Sequence, residues 1–374
     1  MKRREFIKSV SLASTSAILL PMGCKSSDKN QIRYSKLPRW RGFNLQEKFS
    51  HKPDEWLNIA PEWGRSNEPF RESDFEMIAE LGFDFVRLPM SYKCWSDEHD
   101  WYKINEEKLK EIDQAVEYGR QYGLHVLINF YRVPGYCINN WLFKKEYQET
   151  KSLWDDQEAL DACAFHWRLF AERYKGIPNS QLSFNLLNEP DDTTLEKHDR
   201  VIRRLVKDIR EIDPERLIII DGFKFKPSFT LLDLKVAQST RGYVPVELTH
   251  YKATWLGDNS SWQIPEWPLN SIKEGKILNK EFLEERAKKW KDLEQKGIGI
   301  LVGEWGCYNK TPHDVALAWM EDNLRIWKTT GWGWALWCFR GSFGILDSER
   351  TDVKYENFHG HKLDRRMLEL LKEY

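Results

Sequence analysis

Several features that would each settle a protein's class are missing from this sequence. No two of its six cysteines stand in C-x2-C spacing, so the usual pattern of a zinc site is absent. No Gly-x-Gly-x-x-Gly turn follows the first apolar stretch, which leaves a dinucleotide-binding fold without its fingerprint. Neither sign of charge is in excess: 57 Lys and Arg against 58 Asp and Glu give a formal net charge of −1, with acids and bases interspersed. That balance excludes the basic field on which nucleic-acid binding depends. No internal repeat is detectable. The N-terminal apolar stretch over 10–20 falls short of the ~20 residues that a bilayer-spanning helix needs.

That stretch follows Lys2-Arg3-Arg4-Glu5-Phe6-Ile7-Lys8, a twin-arginine pattern, and reads as an export signal outside the fold. Leu19-Leu20-Pro21-Met22-Gly23-Cys24 resembles a lipoprotein cleavage site, with a glycine before the cysteine that would carry the lipid. The expectation is a signal over 1–24, a polar tether over 25–39 and one domain over 40–374. Residence would be periplasmic, outer-membrane-anchored or extracellular in a bacterium, with membrane contact only through a lipid at Cys24, or plain secretion without it. Lys2, Arg3, Arg4 and Lys8 against Glu5 carry a net +3, so losing residues 1–23 takes the formal charge from −1 to −4. With Cys24 lipidated, the remaining cysteines cannot all pair, and buried free thiols are expected.

What is present is a regular alternation. Strands are expected to end near 45, 89, 130, 188, 221, 248, 303 and 337. Helical periodicity runs over 73–81, 106–122, 156–174, 194–212, 280–296, 314–328 and 361–373. Strands alternating with helices imply a parallel sheet, and eight such units in ~330 residues favour a closed (β/α)8 TIM barrel over an open sheet.

Two strand ends carry an unusual charge. Leu182-Ser183-Phe184-Asn185-Leu186-Leu187-Asn188-Glu189-Pro190 puts a glutamate where a buried strand meets a loop, and Ile300-Leu301-Val302-Gly303-Glu304-Trp305-Gly306 does the same. Burying an unpaired carboxylate costs several kcal/mol, so one such residue alone could be a turn glutamate at the rim. Two of them, closing strands four and seven of a barrel whose strand ends share one pocket, suggest carboxylates facing each other across a single site. Paired carboxylates are the equipment of glycoside hydrolysis: one protonates the leaving oxygen, the other attacks the anomeric carbon or activates water.

With Asn188-Glu189-Pro190 on strand four, Glu304 on strand seven, Arg87 after strand two and Trp337 on strand eight, residues 40–373 resemble glycoside hydrolase family 5, the cellulase-like family of clan A. The resemblance implies that Glu189 is the general acid/base and Glu304 the nucleophile of a retaining double displacement. It also implies that Asn188 holds the sugar 2-hydroxyl, that Arg87 bonds Glu304, and that Trp337 floors the subsite of the sugar being cleaved. His250 would shape the acid/base region. Two departures stand out. Tyr131 occupies the place of a family histidine in the segment ending Pro134-Gly135. The family's His-x-Tyr after strand six reads here His250-Tyr251-Lys252, which leaves open whether Tyr251 or Lys252 takes the tyrosine's role.

Asn44, ending strand one, is a further candidate for the site, open like Tyr131 to a packing role. Trp255 and Trp305, in loops after strands, are placed to stack on sugars, since flat apolar sugar faces pack on indole. Trp95, Trp141, Trp262 and Trp267 belong to the same class, whereas Trp167, Trp290 and Trp327 lie in helices and are expected in the core. The expected partner is a β-linked polysaccharide or oligosaccharide, cleaved in the manner of an endo-β-1,4-glucanase or mannanase by a monomer needing no cofactor and no metal. The alternative is a non-catalytic glycan-binding surface lipoprotein on the same barrel, its departures at Tyr131 and Lys252 reflecting lost catalysis.

Overall fold

Eight short strands close into a barrel: β1 (Arg41–Asn44), β2 (Phe85–Ser91), β3 (His125–Val133), β4 (Leu182–Asn185), β5 (Ile218–Asp221), β6 (Ala237–Gly242), β7 (Ile300–Trp305) and β8 (Gly333–Leu336). Each runs parallel to the next, and β8 returns to β1 with Arg41 opposite Trp334 and Phe43 opposite Leu336, so no edge remains. The computed structural model describes residues 32–56, 67–97, 99–273 and 276–374. The expected signal and the first part of the expected tether lie outside the described residues.

Helices wrap the barrel in the intervals: α1 (Glu72–Glu80), α2 (Glu106–Tyr122), α3 (Gln157–Arg173), α4 (Leu195–Ile212), α5 (Lys280–Glu294), α6 (His313–Thr330) and α7 (Arg365–Glu373). Their starts are set by side-chain caps, from Asn105, Asp156, Thr194, Asn279 and Asp364 onto the second or third helical amide. Val201, Ile202, Leu205, Val206 and Ile209 give α4 a continuous apolar stripe, buried against the outer face of the sheet.

Because side chains alternate along a strand, every second residue faces the barrel interior. Near the N-terminal ends these are apolar, and Phe85, Leu127, Ile219, Ala237, Leu301 and Ala335 form a cluster of their own, separate from the larger one under the helices. Two residues further along each strand the same face carries Arg87, Asn129, Asp221, Ser239 and Trp337. The interior therefore changes from apolar to polar over one step of the pleat.

Three expectations are corrected here. The sixth strand is Ala237–Gly242 rather than 244–248, and Val246–Thr249 form a single helical turn. Ala-Gln-Ser-Thr-Arg-Gly does not read as a buried strand because Ser239 and Arg241 face inward at the polar layer and Gln238, on the other face, is polar too. Between β5 and β6 no α-helix intervenes, only the 3-10 turns Phe223–Phe225 and Phe229–Leu234. The last helix starts at Arg365, since residues before it form the hairpin Glu356–Phe358 with His361–Leu363. Cys94, Cys137, Cys163 and Cys307 are buried free thiols, and Cys338 is buried as well.

Candidate active site

Arg87 lies within β2, not after it, and is fully buried. A buried guanidinium is costly unless its donors are all engaged, and here they are. Nη1 donates to Glu304 Oε1 at 2.7 Å and to Asn44 Oδ1 at 2.9 Å. Nη2 donates to Asn188 Oδ1 at 2.8 Å and Asn185 Oδ1 at 3.1 Å, and Nε to Asn185 Oδ1 at 3.2 Å. Asn44, a candidate for the site open to a packing role, is fully buried and supports Arg87 rather than facing the cavity. Its amide donates to the carbonyls of Gly303, Leu336 and Ala335, so it anchors Arg87 and ties β1 to β7 and β8.

Glu304 faces inward through a local irregularity. Leu301 and Glu304 are three residues apart, yet both point into the barrel, because the register between β6 and β7 slips between Val302 and Glu304. Gly303 sits at that slip. A Cβ there would stand 2.5 Å from Ser239 Oγ and 2.9 Å from Arg241 Nη1, so a side chain at this position would displace Ser239 or Arg241.

Glu189 stands on a strained turn. Its φ of +48° is in the left-handed region, uncommon for a residue with a side chain. Two contacts hold the turn: the Glu189 amide donates to Asp221 Oδ2 at 2.8 Å, and Tyr136 Oη donates to the Glu189 carbonyl at 2.6 Å. Burial, then the charge of Glu304 and, less strongly, of Asp221, push the Glu189 carboxyl up to about 7 against the opposing pull of Arg241.

Arg241, at the end of β6, was missed in the sequence because the strand itself was misplaced. Its Nε donates to Glu189 Oε1 at 2.8 Å, its Nη2 to Asn188 Oδ1 at 2.9 Å, and Nη2 lies 3.3 Å from Glu304 Oε1. Nη2 also donates to Asp221, and Nη1 to Ser239 Oγ at 2.9 Å. Burial lowers the Arg241 pKa, but the charges of Asp221, Glu304 and Glu189 outweigh it and raise the value overall. Two residues on, the Tyr243 hydroxyl lies 3.3 Å from Glu304 Oε2, and burial with both glutamate charges raises its pKa well above the usual phenol value. The His-x-Tyr place expected at His250-Tyr251 is therefore held by Arg241-Gly242-Tyr243.

Asn188 accepts from both guanidinia through Oδ1, which fixes the orientation of its amide. Its Nδ2 is buried with no hydrogen-bond partner among the described residues. A cavity of about 630 Å³ opens above this network, lined by Glu189, Glu304, Arg241, Tyr243, Tyr131 and Trp337, with His250 and Trp255 further out. Trp337 packs near Phe49 and Tyr131, with ring centroids 5.5 and 6.2 Å away. Burial lowers the His250 pKa to about 4, so the ring is neutral at neutral pH.

Two expected substrate contacts lie elsewhere. Trp305 points outward, as the neighbour of an inward residue must; it is 0% exposed, with its ring 4.7 Å from Trp327 and 5.4 Å from Trp334. Tyr251 is buried outside the cavity, with the Lys252 ammonium over its ring. Of the other tryptophans, Trp95 is buried and donates to His166 Nδ1, whereas Trp141 is 68% exposed. Trp290, in α5, belongs to the core but also reaches the cavity wall. Among the described residues, no three His, Cys, Asp or Glu side chains are grouped so as to hold a metal ion.

The chain can now be set beside known proteins. The model of the family described as Cellulase (glycosyl hydrolase family 5) matches residues 38–342. Endoglucanase C of Acetivibrio thermocellus is 26% identical over 311 residues, covering 76% of this chain and 88% of that protein. A crystal structure of a glycoside hydrolase superposes with a TM-score of 0.80 at 39% identity, over 90% of this chain and 99% of the other. Thermotoga maritima Cel5A in complex with cellobiose gives 0.68 at 24% identity over 89% and 97%, a likeness of fold.

Proposed function

The chain belongs to glycosyl hydrolase family 5 and is a glycoside hydrolase; from that premise we propose that it cleaves a β-1,4-linked glucan or mannan internally, with retention of configuration. The observation that carries this is the single Arg241 guanidinium contacting both Glu189 and Glu304. It ties both carboxyl groups to one planar cation, which limits how far apart they stand, and a short separation of ~5 Å is what direct attack needs, whereas a wider gap admits a water. Glu189, with its pKa near 7, gives its proton to the glycosidic oxygen as Glu304 attacks the anomeric carbon. A glycosyl ester on Glu304 forms and the leaving hydroxyl departs. Glu189, now ionised, takes a proton from water, which attacks the same carbon and frees Glu304. The unpartnered Asn188 Nδ2 is the donor for the sugar 2-hydroxyl, and Trp337 is the floor under the ring.

The substrate reading draws on the endoglucanase relative and on the cellobiose and mannotriose bound to Thermotoga maritima Cel5A. A panel of cellulose, mixed-linkage glucan, xyloglucan, glucomannan and galactomannan tests it, with Glu304→Ala as control. Cleavage of one polymer, lost in the variant, is expected; an equal rate in the variant would sink the assignment. The non-catalytic alternative is not favoured, since both carboxyl groups line one cavity and their supporting side chains are in place. Export through the twin-arginine pattern, with a lipid on Cys24, is proposed from residues 1–24 alone. Release of the protein from membranes by Cys24→Ala checks the anchor.

A further inference from the structure

The catalytic pair divides the barrel mouth into unlike halves. Glu189 follows β4 and Glu304 lies in β7, so the ends of β5 and β6 lie on one side and those of β8, β1, β2 and β3 on the other. The second half carries Trp337 and Tyr131, facing each other, and no base among the described lining residues. The first half, which also carries Tyr243, His250 and Trp255, holds the bases. Lys224 and Lys226, in the loop after β5, and Arg286 and Lys289, on α5, all line the cavity and are exposed. The loop is fastened beside the acid/base, since the Lys224 amide donates to the Pro190 carbonyl at 2.9 Å.

Among the described residues, no acid other than Glu189 and Glu304 lines this cavity. In a chain of 57 basic and 58 acidic residues, a wall with four bases and, among its described residues, no acid departs from the even mixture found elsewhere. Lys224 lies 3.7 Å from Asp191, but among the described residues Lys226 and Lys289 have no carboxylate partner. A concave wall of one sign concentrates counter-charge, and ammonium groups bind carboxylate or sulfate oxygens through charge-assisted hydrogen bonds.

We infer that the arm between β5 and α5 receives the leaving-group portion of a glycan that bears anionic substituents, either uronate carboxylates or sulfate esters. The inference rests on the proposed glycosidase reading only in taking Trp337 as the floor under the sugar being cleaved, which sends the rest of the chain to the opposite arm. Anionic groups there lie beyond the catalytic carboxyls, near Lys226 and Lys289, where attraction to the wall exceeds repulsion from Glu304.

The test compares three probes: a neutral β-1,4-gluco-oligosaccharide, the same molecule with C6 groups oxidised to carboxylates, and the same with C6 sulfate esters. Affinities are measured by calorimetry on Glu304→Ala, which avoids turnover, and on Glu304→Ala carrying Lys226→Glu and Lys289→Glu. The expected result is an anionic probe bound on the order of tenfold more tightly than the neutral one at low salt. That preference should fade near 1 M salt, where screening acts within about 3 Å, and disappear in the charge-reversed variant. Which anionic probe binds better identifies the substituent. Equal affinities, or a preference undiminished by charge reversal, would overturn the inference. Hydrolysis of all three probes by the protein with Glu304 intact is scored separately: no cleavage of any probe beside anionic binding defeats the proposed cleavage reading alone, and cleavage of the neutral probe without anionic preference defeats this inference alone.

Discussion

Relative to the wild type, Glu189→Gln should gain stability as pH rises through a particular window. The ordinary glutamate value is 4.5 and in the folded chain the carboxyl is pushed up to about 7. The side chain is 15% exposed, so solvent screening discounts the effect little. At about 1.4 kcal/mol per pH unit, ionising Glu189 in the native state costs about 3 kcal/mol more than in the unfolded chain. The native state holds this proton between the two pKa values and the unfolded state does not, so wild-type stability falls as pH rises from 4.5 to 7. Glutamine has no proton to lose, and its carbonyl can still accept from Arg241. The variant and the wild type should therefore differ by a constant amount below pH 4.5, with the gap widening by about 3 kcal/mol in the variant's favour above 7. At roughly 2 °C per kcal/mol for a domain of this size, that is about 6 °C in Tm. Thermal melting across pH 4 to 8.5 reads it directly. A gap that stays constant over this range would refute the raised pKa, and with it the assignment of Glu189 as the acid. The same titration should appear in wild-type kcat/KM as an alkaline limb near pH 7.

The charge around Glu189 can be altered from either side, with opposite results. Arg241→Met removes a pull that lowers the Glu189 pKa and should move the alkaline limb up, whereas Asp221→Asn removes a charge that raises it and should move the limb down; pH profiles of kcat/KM decide. Arg241→Met also leaves Asp221 buried without its cation and should cost about 3–5 kcal/mol in urea unfolding. Trp305→Leu should lower stability by a few kcal/mol with kcat/KM per folded molecule unchanged, while Trp337→Leu should raise KM with a small change in Tm; the reverse pattern would exchange their places in the barrel. Gly303→Ala should lower kcat by on the order of a hundredfold, since its Cβ displaces Arg241 and a misplacement of about 1 Å has that effect; an unchanged kcat would show that the slip in β7 tolerates a side chain.

Much of the barrel could be read from the chain because most of its strands are apolar on both faces. Ile218-Ile219-Ile220 and Ile300-Leu301-Val302 announce buried strands whatever their partners. The two glutamates could be read for the complementary reason, a charge at the end of such a run. β6 failed on both counts. Gln238 and Ser239 replace the apolar residues that mark the other strands, and the nearest apolar pattern, Val244 to Leu248, drew the strand seven residues downstream. The error carried the motif with it, so His250 and Tyr251 were placed at the strand end that Arg241 and Tyr243 occupy, beside the two glutamates. Trp305 failed differently. Its neighbour in sequence is the most conspicuous residue of the site, but adjacent residues of a strand face opposite ways, and the slip at Gly303 hides which of the two faces inward.

An arginine beside Glu189, the proposed acid/base, is at first sight a poor choice. The family resemblance gives that place to a histidine, which can be neutral, while arginine is charged at every working pH. A permanent cation 2.8 Å from Glu189 Oε1 favours the carboxylate and so works against the proton that catalysis needs. Asp221 answers this, since it accepts from the same guanidinium and also holds the Glu189 amide. One carboxylate thus offsets the charge of Arg241 and fixes the left-handed turn that aims Glu189 into the cavity. Electrostatics and backbone geometry at the acid/base depend on the same side chain, so Arg241 at the end of β6 and Asp221 at the end of β5 work as a unit, and either one alone would leave Glu189 with the wrong charge or the wrong direction.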